Sequence, residues 1–317
     1  MASLTEKALS YSLSGKKVWV AGHTGMLGSA LCRRLSVEDV EVLTATHAAL
    51  DLRRQADVES WMAANKPDAV FMAAGTVGGI LINDAKPADF IYDNAVMVSN
   101  VIDAAYRNDV GKLLLLGSSC IYPKLAAQPI REESLLTGPI EPTSQWYALA
   151  KIMGLKMCAA YRRQHGCDFI AAIPANLYGP GDDRDENTSH VVPALMGRIL
   201  KAKADNSGPV TIWGSGTPRR DFLYVDDAAD ALVYLMQYYS AEELINIGSG
   251  GDVSIGELAQ SIADVAGYQG GFEFDTTKPD GMLLKQLDPS RMSDMGWRAR
   301  TSLEDGLRMT LNWYNSQ

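Results

Sequence analysis

The feature that most constrains this chain lies near its start. Lys16–Ala21 (KKVWVA) is followed by glycines at 22, 25 and 28 and then by an apolar helical pattern over Met26–Leu35. A short continuous apolar run suits a buried strand. Glycines spaced G-x-x-G-x-x-G between a strand and a helix form a tight turn and let the backbone approach a pyrophosphate closely. The free N–H groups and partial positive charge at the helix start complete an anion site. A turn that holds no ligand is the plain alternative. The strand–turn–helix context favours a dinucleotide, with Gly22, Gly25, Met26 and Gly28 beside it.

The alternation continues. Val40–Leu43, Ala69–Ala74, Lys112–Leu116 and Asp168–Ile173 read as strands, and Asp57–Ala64, Asp93–Asn108 and Trp146–His165 as helices. That order predicts an α/β chain of Rossmann type, a doubly wound parallel sheet with helices on both faces. After Pro174 the pattern breaks. Clusters of Gly, Pro, Asp and Asn surround a helical stretch at His190–Lys203, and Ser254–Ala266 and Ser302–Tyr314 predict further helices. The expected organisation is a dinucleotide-binding domain over residues 1–175, rejoined by 222–250. A smaller C-terminal substrate-binding lobe is expected over 176–317, mainly 176–221 and 251–317.

With 317 residues, 47% of them hydrophobic, the chain can bury a sizeable core. A formal net charge of −9 and the lack of any Lys/Arg run argue against nucleic-acid binding. The first fifteen residues lack the apolar core of a secretory signal, and no apolar stretch is long enough for a bilayer. Cys32, Cys120, Cys158 and Cys167 are spaced neither as a zinc site nor as a dense disulfide framework. The expectation is a soluble cytoplasmic enzyme with reduced thiols, no metal and no membrane partner.

Tyr147 and Lys151 form Y-x-x-x-K within a helical stretch, and positions i and i+4 share a face. An ammonium beside a phenol favours phenolate and lowers the phenol pKa. Such a tyrosine can hand a proton to a carbonyl oxygen as hydride reaches its carbon. Alone the pair is usually a surface contact. Ser118 and Ser119 strengthen it, because they follow a strand at the sheet edge where doubly wound folds place ligands. Asp51 and Leu52 border the expected adenine site and Asn94 lies on the following helix, although each also reads as a surface or packing residue. Thr44–His47, where a ribose-binding acid would stand, holds neither an acid nor an arginine.

Longer motifs carry a resemblance. AGHTGMLGSA (21–30), VGGI (77–80), PADFIYDN (87–94), LGSSCIYPKLAAQPI (116–130), NLYGP (176–180), SHVVPAL (189–195), WGSGTPRRDFLYVDD (213–227) and KPDG (278–281) resemble the extended short-chain dehydrogenase/reductase superfamily. Within it they resemble the GDP-L-fucose synthase family, whose members are GDP-4-keto-6-deoxy-D-mannose 3,5-epimerase/4-reductases. The resemblance runs from about Lys16 to the C-terminus. It implies NADP(H) as cofactor, a GDP-sugar substrate, and a homodimer built on helices of the first domain. It implies epimerisation at C3 and C5 with Cys120 as base and His190 as acid, then reduction at C4. There Tyr147 supplies the proton, Lys151 tunes Tyr147 and holds the nicotinamide ribose, and Ser118 orients the C4 oxygen. Asn176, in NLYGP, falls on the cofactor side. By the family pattern Arg198 and Arg220 contact the diphosphate or sugar, Trp213 lies against the nucleotide and Lys285 is on the substrate side. Without the family, Cys120 would read as a small core residue and His190 as a satisfied polar group.

Arg219 reads as a surface charge, and Asp226 and Asp227 as backbone anchors. Thr24, Ala45 and His47 stand where the family carries arginines associated with the 2′-phosphate. Thr76 and Leu284 replace basic residues at the sugar side. These departures leave open a related GDP-sugar, as in GDP-L-colitose or GDP-heptose synthesis. GDP-mannose 3,5-epimerase chemistry, which needs no added NADPH, is a further alternative, and a non-catalytic dinucleotide sensor ranks last.

Overall fold

The computed structural model describes residues 9–183, 189–278 and 280–316. Pro279 of the KPDG motif and residues 1–8 of the expected first domain lie outside the described residues. The first half alternates as the apolar runs predict: β1 (Lys16–Ala21), α1 (Met26–Leu35), β2 (Val40–Leu43), α2 (Gln55–Asn65), β3 (Ala69–Met72), α3 (Ile80–Ala85), α4 (Pro87–Arg107), β4 (Lys112–Leu116), α5 (Gln145–His165) and β5 (Phe169–Pro174). Every residue of β3 and β5 is buried. Strands covered on both faces by helices need apolar residues at consecutive positions, which is why they read as unbroken runs.

The rest of the chain comprises β6 (Asn176–Tyr178), α6 (Val191–Ala204), β7 (Val210–Trp213), β8 (Arg219–Arg220), β9 (Phe222–Tyr224), α7 (Val225–Tyr238), β10 (Ile245–Ile247), β11 (Val253–Ser254), α8 (Ile255–Ala266), β12 (Phe272–Asp275), β13 (Leu284–Lys285), α9 (Ser290–Asp294) and α10 (Leu303–Asn315). The main sheet has six strands in the order β10-β5-β4-β3-β1-β2. Its pairings are all parallel. The chain order reverses between β1 and β3, and a crevice outside the C-terminal strand ends at such a point is where doubly wound sheets bind ligands.

One core surrounds this sheet. It includes Val18, Val20, Phe71, Leu114 and Ile170, and also Leu232, Leu235 and Ile247 from α7 and β10. A second core joins α6, α8 and α10 through Leu195, Met196, Ile199, Leu258, Ile262 and Leu307. Small ladders flank it: β12 pairs with β7, and β11, β8 and β13 form three strands. Ser254 and Glu257 close a reciprocal capping box that starts α8. One part of the expected division differs. Leu287, Met292 and Trp297, expected in the smaller lobe, pack into the core of the main sheet. The Trp297 indole N–H also donates to Asp230 on α7 at 2.8 Å.

Candidate active site

The glycine turn sits at the reversal point. Gly22 has φ +90°, and a Cβ there would lie 2.6 Å from the Ala74 nitrogen on the neighbouring loop. A Cβ on Gly28 would lie 2.0 Å from the Gly22 carbonyl oxygen, so α1 can start this close to the turn only without a side chain. Gly25 caps α1 with no side-chain hydrogen bond, and the first turn holds no acid. The helix start therefore keeps free N–H groups for an anion.

A cleft of about 1260 Å³ begins there. Its walls include Gly22, Gly25, Met26 and Gly28 at one end, Ser118, Cys120, Tyr147, Asn176 and His190 in the middle, and Arg198, Trp213, Arg220 and Lys285 at the other. Single small-molecule sites usually measure about 300–1,000 Å³. This one has room for two ligands end to end.

The middle is built from three elements. β4 ends at Leu116 and passes into a single 3-10 turn, Ser119–Ile121. Ser118 caps that turn, its hydroxyl accepting the Cys120 N–H at 3.4 Å, while Ser119 is buried beneath. α5 brings Tyr147 to the cleft, with Lys151 one turn behind it and 3% exposed. The Lys151 ammonium donates to the Leu116 carbonyl at 3.1 Å and lies 5.6 Å from the Tyr147 ring centre.

The expected lowering of the phenol pKa is not what this environment produces. Burial pushes Tyr147 well above its ordinary value, and the nearby Cys120 adds to that, outweighing the lowering influence of the Ser118 hydroxyl. Lys151 itself is drawn down to about 8 by burial. Desolvation dominates at both groups. The consequence is a tyrosine that keeps its proton, as a proton donor must.

His190 stands at the start of α6, its Nδ1 3.6 Å from an oxygen of the buried Asp182 carboxylate. The imidazole N–H donating toward the Asp182 carboxylate raises the imidazole pKa, against the opposing effect of burial. The Cys120 thiol lies 3.5 Å from the Lys285 ammonium.

On the far side the Arg198 guanidinium lies 5.1 Å and the Lys278 ammonium 5.6 Å from the Trp213 ring centre. Asp280 accepts from the Ser215 N–H at 2.6 Å and its hydroxyl at 2.9 Å, bracing the loop after Trp213. Arg220 donates to the Arg219 carbonyl at 2.8 Å. Arg219 is paired with Asp252 and Glu257, away from this cleft wall. Asp227 accepts the Arg300 and Thr301 N–H groups, and Asp226 pairs with Arg33.

The adenosine end differs most from expectation. Asn94 is 1% exposed and is not part of the cleft wall. Its amide accepts the Thr76 N–H at 3.1 Å and donates to the Thr76 and Phe90 carbonyls at 2.9 and 2.7 Å. Asn94 thus holds the loop that a cofactor would touch. Asp51 is also set back; Leu50, Leu52 and Arg53 form the wall instead. Hydrogen bonds from Arg53 hold the Asp51 carboxyl down to about 2. Arg53 also reaches Asp93 at 3.2 Å. Sequence reasoning missed Arg53, Asp182, Lys278 and Asp280. Lys278 and Asp280 lay inside the KPDG motif without a role, and nothing in the local pattern marks Asp182 as the partner of His190.

This glycine cradle, its cleft and the Tyr–Lys pair define a nucleotide-dependent enzyme, and the chain belongs to the NAD dependent epimerase/dehydratase family, whose sequence model matches residues 18–248. Within that family its relatives include GDP-L-fucose synthases at 48–59% identity and, at 37%, a GDP-L-colitose synthase of Yersinia pseudotuberculosis. It is 59% identical to the GDP-L-fucose synthase of Sinorhizobium fredii over 94% of this chain and 95% of that protein. It is 48% identical to that of Escherichia coli over 95% of this chain and 97% of that protein. A solved GDP-L-fucose synthetase from Naegleria fowleri, bound to NADP, superposes with a TM-score of 0.91 at 27% identity, covering 98% of this chain and 97% of that one.

Proposed function

We propose that this chain converts GDP-4-keto-6-deoxy-D-mannose to GDP-L-fucose by 3,5-epimerisation and NADPH-dependent 4-reduction. The observation that carries the reading is the single cleft joining a thiol, an imidazole and a phenol to a glycine-rich dinucleotide cradle. The cradle fits NADP(H): the pyrophosphate would rest on Gly22, Gly25, Met26 and the uncapped start of α1. Thr24, Ala45, His47 and Arg53 line the adenosine end. Lys151 and Asn176 would hold the nicotinamide side. When bound, NADPH supplies the hydride for C4.

The C4 carbonyl acidifies the C–H bonds at C3 and C5. Cys120 removes each proton to leave an enolate, and His190 returns a proton to the opposite face. A thiol and an imidazole suit this because modest environmental shifts bring both near neutral pH. Ser118 orients the C4 oxygen and Tyr147 gives it a proton. Arg198 and Arg220 hold the diphosphate, Arg by paired bonds that a point charge does not make. Trp213 lies against the nucleotide.

The chain works as a cytoplasmic homodimer with two lobes, a cofactor lobe on the sheet core and a substrate lobe on the α6/α8/α10 core. Tyr92 on α4 and Trp146 and Leu149 on α5 are large, exposed and on helices that pack side by side, which supports pairing there. The four cysteines are free, and no described helix is long and apolar enough to cross a membrane.

The test is the purified protein with GDP-4-keto-6-deoxy-D-mannose and NADPH in heavy water, the product read by NMR. The expected product is GDP-L-fucose with deuterium at C3 and C5 and one NADPH consumed per turnover. A product without inversion, or turnover without NADPH loss, refutes the reading.

A further inference from the structure

The thiol that the proposed reaction uses as a base sits in an uncommon setting. Cys120 lies in the 3-10 turn after β4, half-buried on the cleft wall. Across the cleft, 165 residues on, the Lys285 ammonium approaches its sulfur at 3.5 Å. Backbone pairing sets that approach. β13 runs parallel to β8 with Lys285 opposite Arg220, the Arg219 N–H donates to the Leu283 carbonyl at 2.8 Å, and the Asp221 N–H donates to the Lys285 carbonyl at 3.2 Å. Among the described residues no carboxylate lies within 4.0 Å of the Lys285 ammonium, so its charge faces the sulfur uncompensated.

We propose that Lys285 is a positioning residue that holds Cys120 as a thiolate, rather than only a contact for the sugar nucleotide. The other groups facing the sulfur are consistent with a stored negative charge. Ser118 from its own turn and Ser144 ahead of α5 both favour its charged form, and Arg220 on β8 and His190 at the start of α6 are the cationic and titratable groups whose own titration it influences. Tyr147 on α5 faces it as a neutral phenol. Burial alone would push the thiol up, but the Lys285 charge, with the polar Ser118 and Ser144 and the hydrogen bond from Lys285, brings it below its ordinary value. The Arg220 guanidinium, drawn down by burial, supports the same field from the adjoining strand. A base that must take a carbon-bound proton gains from being ionised before substrate arrives.

The inference rests on Cys120 being the epimerising base, but its test does not use the sugar. The whole chain is treated with iodoacetamide across a pH series, and alkylation of the Cys120 peptide is timed by mass spectrometry; only the thiolate displaces iodide. Wild type, Lys285→Met and Lys285→Arg are compared. The expected result is alkylation at pH 7 about tenfold slower in Lys285→Met, the profile moving to higher pH, and recovery to within about twofold in Lys285→Arg. The buried Cys158 stays unreactive in all three, which reports that the fold is intact. Coincident wild-type and Lys285→Met profiles overturn the proposal. A Lys285→Arg profile that follows Lys285→Met does so too, because charge would then not be what matters. Deuterium exchange into the sugar gives the second readout: in Lys285→Met kcat falls at pH 7 and recovers as pH rises, a pH dependence that loss of a substrate contact alone, which would raise KM at every pH, does not produce. A protein that shows the alkylation shift but never epimerises the sugar would sink the proposed function and leave the thiolate standing.

Discussion

Replacing Gly28 by alanine tests whether the glycine turn is set by packing or by the cofactor. A Cβ at this position would lie 2.0 Å from the Gly22 carbonyl oxygen, 2.6 Å from its carbon and 2.8 Å from His23 Cα. Unstrained contacts sit near 3.5 Å, so α1 and the turn must part by more than about 1 Å. All three obstructing atoms are main chain, and no rotamer change relieves them. Alanine gains about 1 kcal/mol over glycine in helix preference. Forcing a group into a packed contact costs about 1–3 kcal/mol, and a main-chain obstruction belongs at the upper end. The net is a loss of about 1–2 kcal/mol, which lowers Tm by several degrees at roughly 2–4 °C per kcal/mol. Gly25→Ala is the comparison. Its Cβ would meet only the Gly22 oxygen at 3.5 Å, an ordinary contact, and its φ of −77° suits any residue. Its stability changes by no more than about 1 kcal/mol, while its methyl group enters the anion site. Calorimetry and NADPH fluorescence titration read both effects. The expected pattern is a lowered Tm with NADPH binding about tenfold weaker or worse for Gly28→Ala, and near-normal Tm with weakened NADPH binding for Gly25→Ala. A Gly28→Ala protein that melts and binds NADPH like the wild type refutes the packing argument.

Cys120→Ser and His190→Asn are expected to bind NADPH normally and to lose deuterium uptake at C3 and C5; normal uptake in both, by NMR, removes them as the acid–base pair. Tyr147→Phe is expected to cut C4 reduction, followed by NADPH absorbance, by about 10²–10⁴-fold while leaving exchange far less affected, and equal loss of both refutes its role as proton donor. For Asp182→Asn the sign follows from the raised imidazole pKa of His190. Without the carboxylate the acid loses its proton at lower pH, so the alkaline limb of the exchange profile moves to lower pH. The stability contributed by a raised imidazole pKa is fully present below the unfolded value and lost as pH rises through the folded one. Denaturant titration should therefore find Asp182→Asn more destabilised near about pH 6 than near about pH 9, and the same loss at both would count against the pairing.

What was legible in this sequence is what burial writes locally. KKVWVA, KLLLL and FIAAIP announce strands because both faces of a parallel sheet are covered, and the helices between them carry their own period. The two-residue strands β8, β11 and β13 carry no such mark, because Arg219–Arg220, Val253–Ser254 and Leu284–Lys285 are too short for any period to appear. Those silent ladders nevertheless decide where Arg220 and Lys285 point. The same holds within the site. Tyr147 and Lys151 were visible because they share one helical turn, whereas the contact of Cys120 with Lys285 spans 165 residues and exists only once β13 has docked on β8. Asn94 shows the reverse case: a polar residue on the right helix reads equally as a ligand contact or as a packing residue, and its amide accepts from Thr76 and donates to Thr76 and Phe90. Motif spacing thus finds groups that one element presents together. It does not find the counter-charges, Lys285 for Cys120 and Asp182 for His190, that separate elements bring in. Those counter-charges decide whether a thiol and an imidazole rest as spectators or as a base and an acid at neutral pH.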